Sequence, residues 1–115
     1  MTNHGYSQDI SPDDVRHALW EKQRTERGFD DTELWNLDTT IAKFILPRLV
    51  AFRDYTHSTP ASLTQNEWTE KLAKMVYAFE FLSSEDKYTT FDNDQWEVVG
   101  EGLKLFGENF SSLWN

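Results

Sequence analysis

The 115-residue chain contains no cysteine, which excludes disulfides, thiolate zinc sites and cysteine nucleophiles. No apolar run approaches the ~18 residues that a membrane span requires, and nothing resembles a secretory leader. A soluble protein of the cytoplasm is the expectation. Strand-like alternation is absent, as is any internal repeat. Basic residues are few: 11 against 20 acids, a net charge of −9. Binding to nucleic acid or an anionic membrane begins with phosphate neutralisation, so neither is expected as a direct partner.

Signals for catalysis are missing too. No Gly-x-Ser-x-Gly elbow exists, and Gly100-Glu101-Gly102 lacks the third glycine, preceding strand and Lys-Ser pair of a phosphate loop. His4, His17 and His57 lie in separate segments without an i, i+4 partner, so neither a metal nor a cofactor is expected. Carboxylates are too common for any pair of them to single itself out as catalytic. The expectation is a protein that is not an enzyme.

What the chain has is a repeated helix-start signature. Four stretches place an apolar residue before a capping residue, with an acid or amide three positions later and then another apolar residue. They run from Ile10 to Val15, Phe29 to Leu34, Leu63 to Trp68 and Phe91 to Trp96. In each, Ser11, Asp30, Thr64 or Asp92 can accept from an orphan amide of the first turn, and the flanking apolar pair can clamp the approach angle. These signals predict helices over about 12–27, 31–56, 65–82 and 93–113, with 1–9 as a flexible arm and 10–115 as a single domain. Gly28 is the expected stop of the first helix.

The third helix spaces Trp68, Leu72, Met75, Phe79 and Leu82 as a heptad seam. The fourth does so with Trp96, Val99, Leu103, Phe106, Phe110 and Leu113. Gly100 and Gly107 flank that seam, and a close neighbouring backbone is their expected reason. The second helix carries Leu34, Leu37, Ile41, Phe44, Ile45, Leu49, Phe52 and Tyr55 as its core stripe. Pro47 should kink or break it, and Asp38-Thr39-Thr40 offers a second start. The fold expected is all-α: a small four-helix bundle, its second helix kinked at a proline and its thin first helix lying across the others.

Charge is unevenly spread. Residues 9–38 carry nine acids against four bases, and 84–101 carry six acids against Lys87 alone, whereas 39–63 is net positive. Acids at helix N-termini favour the macrodipole, which explains part of this. The remainder suggests a surface for a basic protein partner, with Trp35, Glu85, Asp86, Tyr88 and Asp94 as its candidate residues. Arg48 sits on the apolar stripe directly after Pro47. Either it pairs with Glu80 or Glu101 across the bundle, or it joins Lys43, Arg53 and His57 in an anion-binding site. Trp20, Trp35, Tyr77, Phe81, Tyr88 and Trp114 fit no single buried stripe, which points to self-association into a homo-oligomer.

The run from Leu34 to Leu49 (LWNLDTTIAKFILPRL), then WTEKLAKMVYAF from Trp68 to Phe79, then EGLKLF from Glu101 and Leu113-Trp114, resembles a family of small proteins of bacteriophage and prophage genomes. The likeness extends over most of the chain from Phe29 onward. That family has no assigned activity or catalytic residues to transfer. The resemblance implies an accessory protein acting in the cytoplasm of an infected bacterium, where it binds and modulates a host protein, such as a defence component. A nucleotide-sequestering protein and a minor virion or assembly protein are the alternatives.

Overall fold

The structure, a computed structural model, describes residues 7–56 and 58–114; His4 and His57 lie outside them. Among the described residues five α-helices follow in order: α1 His17–Arg27, α2 Leu37–Tyr55, α3 Gln65–Leu82, the single turn α4 Lys87–Thr90, and α5 Asn93–Glu108. Short 3-10 turns occupy Asp31–Leu34 and Phe110–Ser112. No strand occurs among the described residues. The protein is a small all-α bundle.

Three of the four predicted start signals are full capping boxes. Asp30, Thr64 and Asp92 each accept from a first-turn backbone amide, and Glu33, Glu67 and Gln95 each accept from the cap's own N–H. The fourth fails. Helix α1 begins at His17, not Pro12, because Asp14 accepts the Arg16 amide at 2.9 Å and grips its guanidinium at 2.9 and 3.0 Å. That local turn competes with helix. Val15, meant to staple the approach, is 90% exposed and has nothing to clamp. At the other end Gly28 adopts φ +86° and donates to Arg24 O at 3.0 Å, the stop expected of it.

Asp30 caps only the 3-10 turn. The predicted helix over 31–56 is interrupted at Trp35–Asn36, and α2 then stays one helix across Pro47. The Thr40 hydroxyl donates to Glu33 O at 2.8 Å and so satisfies a carbonyl released by the interruption. Around Asp30 a small polar core forms. Its carboxylate accepts from Ser7 Oγ (2.9 Å), Thr32 N (2.9 Å), Thr32 Oγ1 (2.5 Å) and Arg24 Nη1 (2.5 Å). Ser7, assigned to the arm by the sequence, is buried. Burial pushes the Asp30 carboxyl up, but the bonds from Thr32, Arg24 and Ser7 more than reverse this and hold it below the usual carboxylate range. Trp20, unplaced by the sequence, is buried beside this core with its ring edge-on to Trp35.

Helix α3 is the centre of the main core. It packs against α2 on one side and α5 on the other; of the predicted seam Trp68, Leu72, Met75 and Phe79 are buried, and Leu82 packs partly buried against them. The seam of α5 differs. Val99 and Gly102 are buried, Phe106 packs edge-on against Phe79 at 4.9 Å, and Leu103 and Phe110 face outward. Gly102 is the cause. A Cβ there would stand 2.5 Å from Ala78 Cβ and 2.6 Å from Lys74 O, so only glycine permits this approach of α3 to α5. Gly100 and Gly107, given that role by the sequence, have nothing within 4 Å.

Helix α2 departs furthest from expectation. Thr39, Ala42 and Leu49 are buried, and Leu46 packs partly buried against the core; Leu37, Ile41, Phe44 and Tyr55, read as core, are exposed. Helix α1 reaches the body mainly through the 3-10 turn at 31–34. The result is open: the Cα radius of gyration is 17.0 Å and the extents 54 × 34 × 19 Å, against about 13 Å for a compact chain of this length.

Candidate functional site

The connection from α3 to α5 carries most of the predicted partner-binding residues, and one lysine fixes its position. Lys87 opens α4 and turns inward until it is only 1% exposed. Its ammonium donates to Thr39 Oγ1 at 2.6 Å and Ser84 O at 3.3 Å, and stands 3.3 Å from Asp38 Oδ2. A buried ammonium is costly unless its protons are taken up. Here three oxygens surround it, two from the first turn of α2 and one from the connection itself. The link ties 84–90 to the start of α2.

With Lys87 turned in, its neighbours are turned out. Tyr88 is 70% exposed, yet it is held in place: its hydroxyl donates to Asp38 Oδ2 at 2.6 Å and its ring stacks on Trp96 at 5.4 Å and 18°. The Tyr88 bond, with help from the Thr39 amide and Lys87, holds the Asp38 carboxyl below its usual range. The same bond, with burial and the nearby charge adding, pushes the Tyr88 phenol up. Glu85 is gripped by Lys43 Nζ at 2.9 Å. Asp86 is held by Ser84 Oγ, and its backbone carbonyl accepts from Thr89 Oγ1 at 3.0 Å.

Glu85, Asp86 and Tyr88 therefore share one ridge. Asp94 lies in the first turn of α5, two residues before Trp96, the base of the Tyr88 stack. Trp35 belongs elsewhere, against Trp20 and 6.0 Å from the Arg16 guanidinium. The ridge presents acids and a fixed aromatic ring to solvent.

The three described members of the proposed cation group, Lys43, Arg48 and Arg53, do not converge. Lys43, Arg48 and Arg53 are successive fifth residues of α2, so each is turned about 140° from the last. Lys43 goes to Glu85, and Arg53 pairs with its neighbour Asp54 at 3.1 Å. The fourth member, His57, lies outside the described residues. Arg48 takes neither predicted partner. It donates to Phe44 O at 2.8 Å and lies 3.8 Å over the Phe44 ring, while Glu101 pairs with Lys74 at 2.9 Å. Pro47 has no amide for the α2 ladder, and the guanidinium next to it bonds a carbonyl of the preceding turn. Arg48 and Phe44 border an apolar groove of about 220 Å³ with Ile45, Leu49, Phe52, Phe106 and Leu113. Among the described residues no three His, Cys, Asp or Glu side chains are grouped to hold a metal.

Sequence reasoning passed over Lys87 and Asp38. The available signal was Lys87 itself, the lone base in an acidic run. Its burial depends on Thr39, 48 residues away, a pairing that no local pattern displays. Fold and surface together define the class: an all-α bundle with an ordered acidic and aromatic ridge. No protein-family model, curated protein or solved structure matches the chain.

Proposed function

We infer that the chain is a non-catalytic binding protein of bacteriophage type, which engages and modulates a protein of the host bacterium in its cytoplasm. The observation that carries this reading is Tyr88, widely exposed yet fixed by Asp38, Trp96 and the buried Lys87 beneath it. An ordered aromatic loses little freedom on binding, and tyrosine is enriched among residues that dominate interface energy. Glu85, Asp86 and Asp94 nearby favour a partner with a basic surface and speed its encounter. The phage setting rests on the three sequence blocks that resemble phage and prophage proteins.

The test is affinity capture from host lysate at low salt, where charge steering is strongest. Wild type should retain a basic protein, and Tyr88→Ala or Glu85→Lys should weaken its recovery at least tenfold. Capture of nothing at low salt, or equal capture by both variants, would remove the reading.

A further inference from the structure

Two short segments away from the ridge are anchored in the same core. Leu63 and Leu113 each pack partly buried against the main cluster. Ahead of Leu63, Pro60 O accepts the Leu63 amide at 3.0 Å and Ser58 N–H donates to Thr56 Oγ1 at 3.3 Å. The fixed φ of Pro60 stiffens the segment between them. Ahead of Leu113, the Ser112 amide donates to Asn109 O at 2.9 Å and closes the 3-10 turn Phe110–Ser112. Leu113 turns in, and Trp114 after it is 68% exposed. Between the two edges lies a cleft of about 460 Å³, lined by Ser58, Thr59, Pro60, Ala61, Ser112 and Trp114. That size falls within the roughly 300–1,000 Å³ of small-molecule sites.

We propose that this cleft binds a neutral sugar ring, stacked on the Trp114 indole and hydrogen-bonded through its hydroxyls to Ser58, Thr59 and Ser112. The lining itself selects that chemistry. None of the described residues that form it is charged, so an ion entering the cleft finds no opposite charge to offset its desolvation. Ser58, Thr59 and Ser112 are half-buried, and their hydroxyls have no hydrogen-bond partner among the described residues. A hydroxyl combines one donor with two acceptor sites. The ligand group that matches it in both senses is another hydroxyl.

Trp114 supplies the other half of the match. It is one of the aromatic side chains that fit no buried stripe, and its indole makes no ring contact or hydrogen bond among the described residues. The face of an aromatic ring is negative, and one face of a pyranose presents C–H groups made slightly positive by the neighbouring oxygens. A sugar ring is thus apolar on one face and hydroxylated at its rim, the same division the cleft makes between Trp114 and its three hydroxyls. A nucleobase also stacks on indole, but its rim carries no hydroxyls, and a nucleotide adds a phosphate for which the lining has no cation. The ridge at 84–94 shares no residue with the cleft, so sugar binding stands or falls independently of host-protein binding.

The indole N–H signals of protein labelled with nitrogen-15 tryptophan test it. The chain has five tryptophans, and Trp114→Phe identifies the signal of Trp114 by its loss. Titration with methyl β-D-glucopyranoside, methyl α-D-mannopyranoside and N-acetylglucosamine should move that signal, saturating in the millimolar range with at least one of them. The signals of the buried Trp20 and Trp68 should stay in place. Affinity for that sugar, read by saturation transfer, should fall at least tenfold in Trp114→Ala. Thr59→Val and Ser112→Ala, each lacking one hydroxyl, should lower it about three- to tenfold. All three side chains reach solvent, so these variants should keep the wild-type helical circular dichroism. Three results would overturn the proposal: a Trp114 signal that none of the sugars moves at about 50 mM, an affinity unchanged in Trp114→Ala, or a shift that phosphate or adenosine produces and the sugars do not.

Discussion

Gly102→Ala should destabilise the protein even though it improves helix propensity. In an exposed helix interior, alanine is favoured over glycine by about 1 kcal/mol. At Gly102 the new Cβ would lie 2.5 Å from Ala78 Cβ and 2.6 Å from Lys74 O. Carbon atoms in contact ordinarily sit about 3.5–4.0 Å apart, so α3 and α5 must separate by about 1 Å. The carbonyl belongs to the α3 backbone and cannot swing aside as a long side chain would. A gap of this size forfeits a quarter to a half of the dispersion attraction across the contact, and overpacking of this kind typically costs about 1–3 kcal/mol. After the propensity gain, Gly102→Ala should lose up to about 2 kcal/mol. Gly100→Ala, with open space around it, should gain up to about 1 kcal/mol. Urea titrations should separate the two variants by about 1–3 kcal/mol, and thermal melts by about 10 °C. Equal stability, or a more stable Gly102→Ala, would refute the close approach of α3 and α5.

The caps give a second contrast: Thr64→Ala and Asp92→Ala should each cost about 0.5–2 kcal/mol in urea titrations, whereas Ser11→Ala, which caps no helix, should cost almost nothing. Lys87→Met keeps the buried stem but leaves Thr39 and Ser84 O without their donor, and should cost about 1–3 kcal/mol while weakening the near-ultraviolet dichroism of the Tyr88–Trp96 stack; an unchanged spectrum would contradict the anchoring role. Asp30 makes stability acid-sensitive. Its folded pKa lies below the unfolded value of about 4, so its contribution is complete above that value and is lost as pH falls through it toward the folded pKa. Melts at acidic and neutral pH should show a steeper acid loss for wild type than for Asp30→Asn; parallel slopes would count against this.

Local chemistry was legible in the sequence, and sidedness was not. Capping boxes at Asp30, Thr64 and Asp92 and the stop at Gly28 depend on residues a few positions apart, so the chain displays them directly. The seam of α3 was legible because both of its partners lie on broad apolar faces. For α2 the apolar pattern was real, but two stripes overlapped in it, and only the position of α3 decides which is buried. The roles of the α5 glycines turned on which residue meets Ala78, a tertiary fact. Ser11 carried the right signature, but Asp14 and Arg16 offered the backbone a competing turn. Within the candidate site, Glu85, Asp86 and Tyr88 were recognisable as acids and a spare aromatic. Their common ridge depends on contacts to Asp38, Thr39 and Lys43, more than 40 residues away in the chain.

The central claim is that the chain folds as an open arrangement about α3. Small-angle X-ray scattering of the protein, extrapolated to infinite dilution, measures this directly. The account predicts a radius of gyration near the 17.0 Å of the Cα trace, slightly enlarged by hydration, and a longest dimension of at least 54 Å. A value of about 13 Å, that of a closed globule of this length, would contradict it.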